Sequence, residues 1–239
     1  MDNNSDTNKK PWNLTTKRFV CYLDIMGFKD MVMRNSHDSI YKMLDDLSKK
    51  RDSIDNAQHL PQPYEKDSLK TVSFSDSIVI FTKNDTKDCL ELLTRATSWL
   101  FANAIESGIP LKGAISHGEL SVNISRQIFF GQPLIDAYLL EEEVEFYGIV
   151  IHNTVEKILN ELNTSLISIE KYKDCVVPLK SGKIQHYILD WVSKINTTDN
   201  PQSKKEELLR LMKRQREQTV GRPRRYIDNT IYVFNQIYQ

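Results

Sequence analysis

The sequence has little cysteine, no long apolar run and no net charge, and each shortage removes a class of protein. Cys21, Cys89 and Cys175 are scattered, which fits neither a disulfide framework nor a zinc site and leads us to expect a reducing cytoplasm. Ser77-Ile78-Val79-Ile80-Phe81 is typical of the longest apolar runs, well short of the ~18–20 residues of a membrane span. The start, Met1-Asp2-Asn3-Asn4-Ser5-Asp6, lacks the charged beginning and apolar stretch of a signal peptide. Secreted, membrane-spanning and disulfide-stapled readings are therefore not expected.

What remains is an ordinary globular composition, 40% hydrophobic and 27% charged over 239 residues, enough to bury a core. The balance of 32 Lys+Arg against 32 Asp+Glu is uneven along the chain. Residues 203–225 hold nine Lys/Arg against Glu206, Glu207 and Glu217, so the rest of the chain is acidic by the same excess. A basic stretch can serve nucleic acid, but this one lacks interleaved aromatics or a recognisable RNA-binding motif, and a solvated helix face is the simpler reading.

Residues 1–16 read as a polar, flexible tail, 17–192 as the main domain and 193–239 as a basic helical extension. Apolar runs predict strands over 18–24, 68–74, 77–82, 111–120 and 147–151, and a hairpin of 174–179 with 183–189. Helical spacing predicts helices over 28–50 with a break near Asn35-Ser36, then 86–107, 133–143, 154–162 and 204–218. Residues 51–67 read as a loop and 225–238 as a mixed segment. Strands and helices intermingle without a repeat, which places the fold in the α/β or the α+β class around one sheet; of the two, α+β, as an α/β sandwich, is the expectation carried forward.

Two acids are placed in an unusual way, although aspartates in turns are common. Asp24 closes a buried strand before the tight turn Ile25-Met26-Gly27-Phe28, and Asp76 sits in the turn between two adjacent strands. A carboxylate ending a buried strand is costly to keep charged and calls for a partner or a metal. Two on neighbouring strands could share Mg²⁺, which prefers hard oxygen ligands and leaves positions for phosphates. The turn after Asp24 also presents backbone N–H groups at a helix start, where phosphate oxygens bind.

The order Phe19-x-x-Tyr22-Leu23-Asp24-Ile25-Met26-Gly27-Phe28, then Ser75-Asp76-Ser77-Ile78-Val79-Ile80-Phe81, then Leu111-Lys112-Gly113-Ala114-Ile115-Ser116-His117-Gly118-Glu119 resembles the class III nucleotide cyclase catalytic domain. With Gly131-x-x-Leu134-x-x-Ala137-Tyr138-x-x-Glu141 it is similar, more narrowly, to the bacterial pyrimidine cyclases of the Pycsar anti-phage systems. The resemblance covers roughly residues 18–190. It implies a ferredoxin-like sheet with flanking helices. It also implies two divalent cations, Mg²⁺ or Mn²⁺, held by Asp24, Asp76 and the Ile25 carbonyl. Backbone amides of Met26, Gly27 and Phe28, with Lys180 or Lys183, would hold the triphosphate.

The departures from the family matter as much. Its Asn-x-x-x-Arg pair falls on Ile135 and Leu139, which donate no hydrogen bond. Lys112, Arg126 and the Tyr138 hydroxyl are the local candidates to replace the missing cation, with Lys112 and Arg126 ranked level. Ile128 stands where purine cyclases place an adenine-reading acid, while Lys70 matches the base-reading lysine by spacing. The resemblance therefore implies a pyrimidine nucleoside triphosphate, UTP before CTP, and a cytoplasmic homodimer with composite sites. It also implies a separate effector answering the cyclic nucleotide, and no membrane or nucleic-acid partner. Segment 203–239, with Leu208, Leu209, Leu211 and Met212 among its charges, could pack on the partner protomer. A catalytically silent, nucleotide-binding cyclase fold is the competing reading.

Overall fold

A computed structural model describes residues 11–55, 67–161, 171–196, 200–217 and 219–238. In chain order it contains β1 (Thr15–Ile25), α1 (Phe28–Arg34), α2 (His37–Asp55), β2 (Leu69–Phe74), β3 (Ser77–Thr82), α3 (Lys87–Glu106), β4 (Leu111–Asn123), β5 (Ile128–Phe130), α4 (Gln132–Glu143), β6 (Ile149–Ile151), α5 (Asn153–Glu161), β7 (Tyr172–Leu179), β8 (Gly182–Leu189), α6 (Pro201–Glu217) and α7 (Arg222–Ile237). One sheet of eight strands runs β2-β3-β1-β4-β6-β8-β7, with β5 beside β4. The α+β class read from the sequence is the class observed.

The alternation of β1 sends its side chains to two unequal faces. Phe19, Cys21, Leu23 and Ile25 join Leu90, Leu93, Leu100 and Phe101 of α3 in the main core. Val20 joins Phe81, Leu120, Val122 and Ala137 in a much smaller cluster beneath α4. Around that second face Phe74, Phe130, Ile135 and Leu139 are 84%, 62%, 52% and 56% exposed. Gly131 opens α4 at a φ of 156°, and a Cβ there would strike the carbonyl oxygen of Glu119. Only glycine lets the helix sit this close to β4.

Several expectations need correction. β1 begins at Thr15, paired with Ser121, so the last two residues of the expected tail are strand. Ahead of them Trp12 donates to Asp67 Oδ2 at 3.0 Å and packs edge-on against Phe81. Residues 1–10 lie outside the described residues, as do 56–66 of the expected loop, whose first part continues α2 to Asp55. β5 was missed, being three residues long. The mixed segment is helix α7.

The basic extension packs on its own chain. Leu208, Leu211 and Met212 of α6 and Ile227, Val233 and Phe234 of α7 enter the same core as Trp191. The spacing of the α7 residues is that of one helix face, which Thr230 and Asn229 interrupt in the sequence. The Phe234 and Trp191 rings meet at 5.3 Å. Lys204 donates to the Ile195 carbonyl, and Tyr238 OH donates to Asp190 at 2.6 Å. Phe234→Ala is expected to cost about 3–5 kcal/mol and to lower Tm by about 10 °C. A thermal melt with unchanged Tm would show the extension to be detachable.

Candidate active site

The middle of the sheet is built to bring Asp24 to its end. Asp24 stands opposite Ser77 of β3 on one side and Lys112 of β4 on the other. Beyond it Gly27, at a φ of 72°, reverses the chain into α1, a left-handed conformation that glycine adopts without the Cβ penalty. The β2–β3 turn folds back beside it, and Ile25 N–H donates to the Asp76 carbonyl at 3.1 Å. In that turn Ser75 also has a φ of 57°. That conformation costs a non-glycine residue about 1 kcal/mol, so the turn is held by its surroundings.

Asp24 is half-buried among other acids. Burial first, then the charges of Glu141 and Asp76, push its carboxyl up to about 7, against the pull of Lys112 and of Ser77. Ser77 Oγ donates to Asp24 Oδ1 at 3.4 Å and accepts from Tyr22 OH at 2.8 Å. Lys112 is itself buried and committed elsewhere. Its Nζ donates to the Glu141 carbonyl at 2.9 Å and lies 2.8 Å from Glu141 Oε1, a contact without hydrogen-bond geometry. Burial raises the Glu141 carboxyl while Lys112 lowers it.

A carboxyl raised by burial and then by neighbouring acids gains from a bound cation. The donors at hand, Asp24, Asp76 and the end of β1, are hard oxygens suited to Mg²⁺ or Mn²⁺. Among the described residues no group of three or more His, Cys, Asp or Glu is placed to hold a metal ion, so the candidate donors are the two carboxylates and the backbone oxygen. In donor chemistry, two carboxylates and a carbonyl oxygen suit the divalent cations that the sequence resemblance implies.

Asp24 opens onto a cleft of about 600 Å³ whose walls include Met26, Gly27, Lys112 and Lys180, together with Arg34, Tyr147, Arg222 and Tyr226. Asp76 lines a smaller recess of about 100 Å³ beside it, with Arg51 and Ser73. The sequence-derived set is thus brought together in part. Lys180 reaches the cleft, with Glu142 at 3.6 Å. Lys183 does not, because it lies opposite Pro178 in the hairpin and places its ammonium 4.1 Å over the Tyr232 ring.

Met26 is also corrected as a phosphate donor, since its N–H is taken by the Pro110 carbonyl at 2.9 Å. The amides of Gly27 and Phe28 have no backbone acceptor among the described residues. Arg126 lies past the far end of β4, on the turn to β5, roughly 35 Å along the strand from Lys112 at ~3.3 Å per residue. It cannot reach Asp24 of its own chain. Lys70 lies along β2 from the turn and pairs with Asp67 at 2.7 Å. Arg34 and Arg222 also line the cleft; the sequence marks Arg222 only as one of the nine basic residues of 203–225, and Arg34 ends a mostly apolar helix with nothing near it to single it out.

Solved structures share this architecture. The catalytic core of a rhodopsin-guanylyl cyclase with converted specificity, in complex with ATPαS, is 15% identical with a TM-score of 0.53, over 73% of this chain and 94% of that one. The guanylate cyclase domain of RhGC from Catenaria anguillulae, in complex with GTP, is 15% identical with a TM-score of 0.52, over 73% and 96%. No protein-family model matches the sequence, and no curated protein does. The chain therefore has the class III nucleotide cyclase fold. Similarity this low carries the fold alone.

Proposed function

We propose that the chain is a nucleotide cyclase that converts UTP, or less readily CTP, to the 3′,5′-cyclic nucleotide and pyrophosphate. The observation that carries this is Asp24, whose carboxyl is pushed up by burial and by the charges of Glu141 and Asp76 and which lines a cleft of about 600 Å³ within a cyclase fold. Asp24, Asp76 and the Ile25 carbonyl are the groups that would hold two divalent cations, Mg²⁺ or Mn²⁺, whose chemistry is activation of a hydroxyl and neutralisation of phosphate charge. In the reaction the ribose 3′-oxygen bonds to the α-phosphorus as the bond to the β-phosphate oxygen breaks. The hydroxyl proton passes to solvent and pyrophosphate leaves. Ser77 orients Asp24, the Gly27 and Phe28 amides face phosphate oxygens, and Lys180 adds charge at the cleft wall.

The exposed apolar residues over α4 and β5 support a homodimer in which each copy covers the second face of the other. In that arrangement Lys70 and Arg126 serve the partner's site, the one route left to Arg126. Leu139→Glu is expected to shift the dimer to monomer in light-scattering chromatography and to remove activity with it. A cytoplasmic setting, phage infection as the trigger and a separate effector that binds the product belong to the same proposal. No described helix is long and apolar enough to cross a membrane.

Purified protein incubated with each of the four ribonucleoside triphosphates and Mg²⁺ or Mn²⁺ tests the reading by product mass. Cyclic UMP is the expected product. Cyclic AMP or GMP alone would overturn the pyrimidine assignment, and no cyclic product from any triphosphate would overturn the enzyme. The silent alternative rests on Ile135 and Leu139, apolar and exposed where the family carries hydrogen-bond donors, and on the commitment of Lys112 to Glu141.

A further inference from the structure

The cleft beside Asp24 is walled on one side by residues from the C-terminal extension: Thr219, Arg222, Pro223 and Tyr226. Their position is fixed by how α7 enters. Gly221, at a φ of 65°, turns the chain and Pro223 follows at the first turn, where proline is tolerated. The helix is then tied to the strand-side segment that precedes β6. Asn229 donates to the Glu145 carbonyl at 2.7 Å, Thr230 Oγ1 accepts from Tyr147 N–H at 2.8 Å, and Arg225 pairs closely with Glu145. Arg222 is held at the rim with its guanidinium 5.7 Å from the Tyr226 ring centre.

Charge gives this placement a consequence. Four acids, Asp24, Asp30, Glu141 and Glu142, stand in or behind the cleft against four cations, Arg34, Lys112, Lys180 and Arg222. Lys112 is committed to Glu141 and Lys180 has Glu142 beside it. Arg34 and Arg222 line the cleft with no carboxylate partner among the described residues. A guanidinium is a planar fork of donors that matches phosphate oxygens, and stacking on an aromatic ring restricts it in advance.

We infer that Arg222, assisted by Arg34 of the same cleft, binds the polyphosphate of a nucleoside triphosphate in the cleft of its own chain. The extension is then part of the substrate site. The inference takes its ligand from the nucleotide cyclase reading above, but its test does not depend on turnover.

Binding of inorganic tripolyphosphate with Mg²⁺ to the full chain, followed by titration calorimetry, is the direct measurement. Arg222→Ala is expected to weaken it about 10- to 100-fold, the range of a lost hydrogen bond to a charged group, while Arg222→Lys retains part of the affinity. Arg224→Ala, an exposed change on the same helix outside the cleft, should bind as the unaltered protein does. With a nucleoside triphosphate, Arg222→Ala should raise KM more than it lowers kcat. Unaltered tripolyphosphate affinity in Arg222→Ala would overturn the inference, as would no binding by the unaltered protein. Arg222-dependent binding without any cyclic product would uphold it while removing the cyclase reading.

Discussion

Asp24→Asn is expected to lower cyclase turnover by about 10³-fold, equivalent to about 4 kcal/mol of transition-state stabilisation, and at the same time to make the metal-free protein more heat-stable at pH 8. The two effects have one cause. The Asp24 carboxyl moves from its ordinary value of 3.8 up to about 7 on folding, through burial and the neighbouring Glu141 and Asp76. Between those values the folded chain binds more protons at this site than the unfolded chain does. Stability from this group is therefore greatest below about pH 4, falls as pH rises, and is fully lost above about pH 7.

Asparagine keeps the shape and cannot ionise, so it removes that loss. Discounted for a half-exposed group, the gain is about 1–2 kcal/mol, or roughly 3–6 °C in Tm at pH 8, vanishing near pH 4. Thermal melts across pH in a chelator, repeated with millimolar Mn²⁺, measure it. Mn²⁺ should raise the Tm of the unaltered protein and leave Asp24→Asn unmoved. A variant no more stable at pH 8 than at pH 4, relative to the unaltered chain, would refute the electrostatic account of this site.

Lys112→Met is expected to destabilise the protein by about 3–5 kcal/mol at neutral pH, because it leaves Glu141 buried without its cation beside the already crowded Asp24. In Tm this is a fall of about 10 °C. Glu141 is already raised by burial, and loss of Lys112 raises it further. The defect should therefore deepen as pH rises and ease as pH falls and Glu141 protonates. Lys112→Met/Glu141→Leu replaces the pair by apolar groups of similar size and should recover most of the loss. The double variant also separates two roles. A stable, inactive protein would place Lys112 in the chemistry, as the sequence reading had it, whereas a stable, active one would make it the structural partner of Glu141. A single variant with unchanged stability would refute the buried pair.

These two residues also show what could be read before the fold was known. Asp24 and Asp76 were legible because each combines an acid with a strand end and a tight turn, features local to four or five residues. The helix break at Asn35-Ser36 and the β2–β3 turn were legible for the same reason. Partnerships across the chain were not. Glu141 lies 29 positions from Lys112, and nothing near either residue announces the pair. The Met26 amide is lost to Pro110, a contact made only when the loop before β4 lies against the end of β1. Lys180 and Lys183 are three residues apart, yet hairpin register sends one to the cleft and the other to the Tyr232 ring. Arg222 comes from a helix whose apolar face was masked by Thr230 and Asn229, two polar residues that earn their burial through hydrogen bonds to the segment before β6.

The two walls of the cleft are also unequally fastened. α7 buries four residues and is tied at Glu145 and Tyr147, while α1 is seven residues long and fully buries none. Arg222 therefore sits on the stationary jaw and Arg34 on the yielding one. Local opening should therefore cost less in α1 than in α7, and amide hydrogen exchange is expected to be faster across Phe28–Arg34 than across Arg222–Ile237.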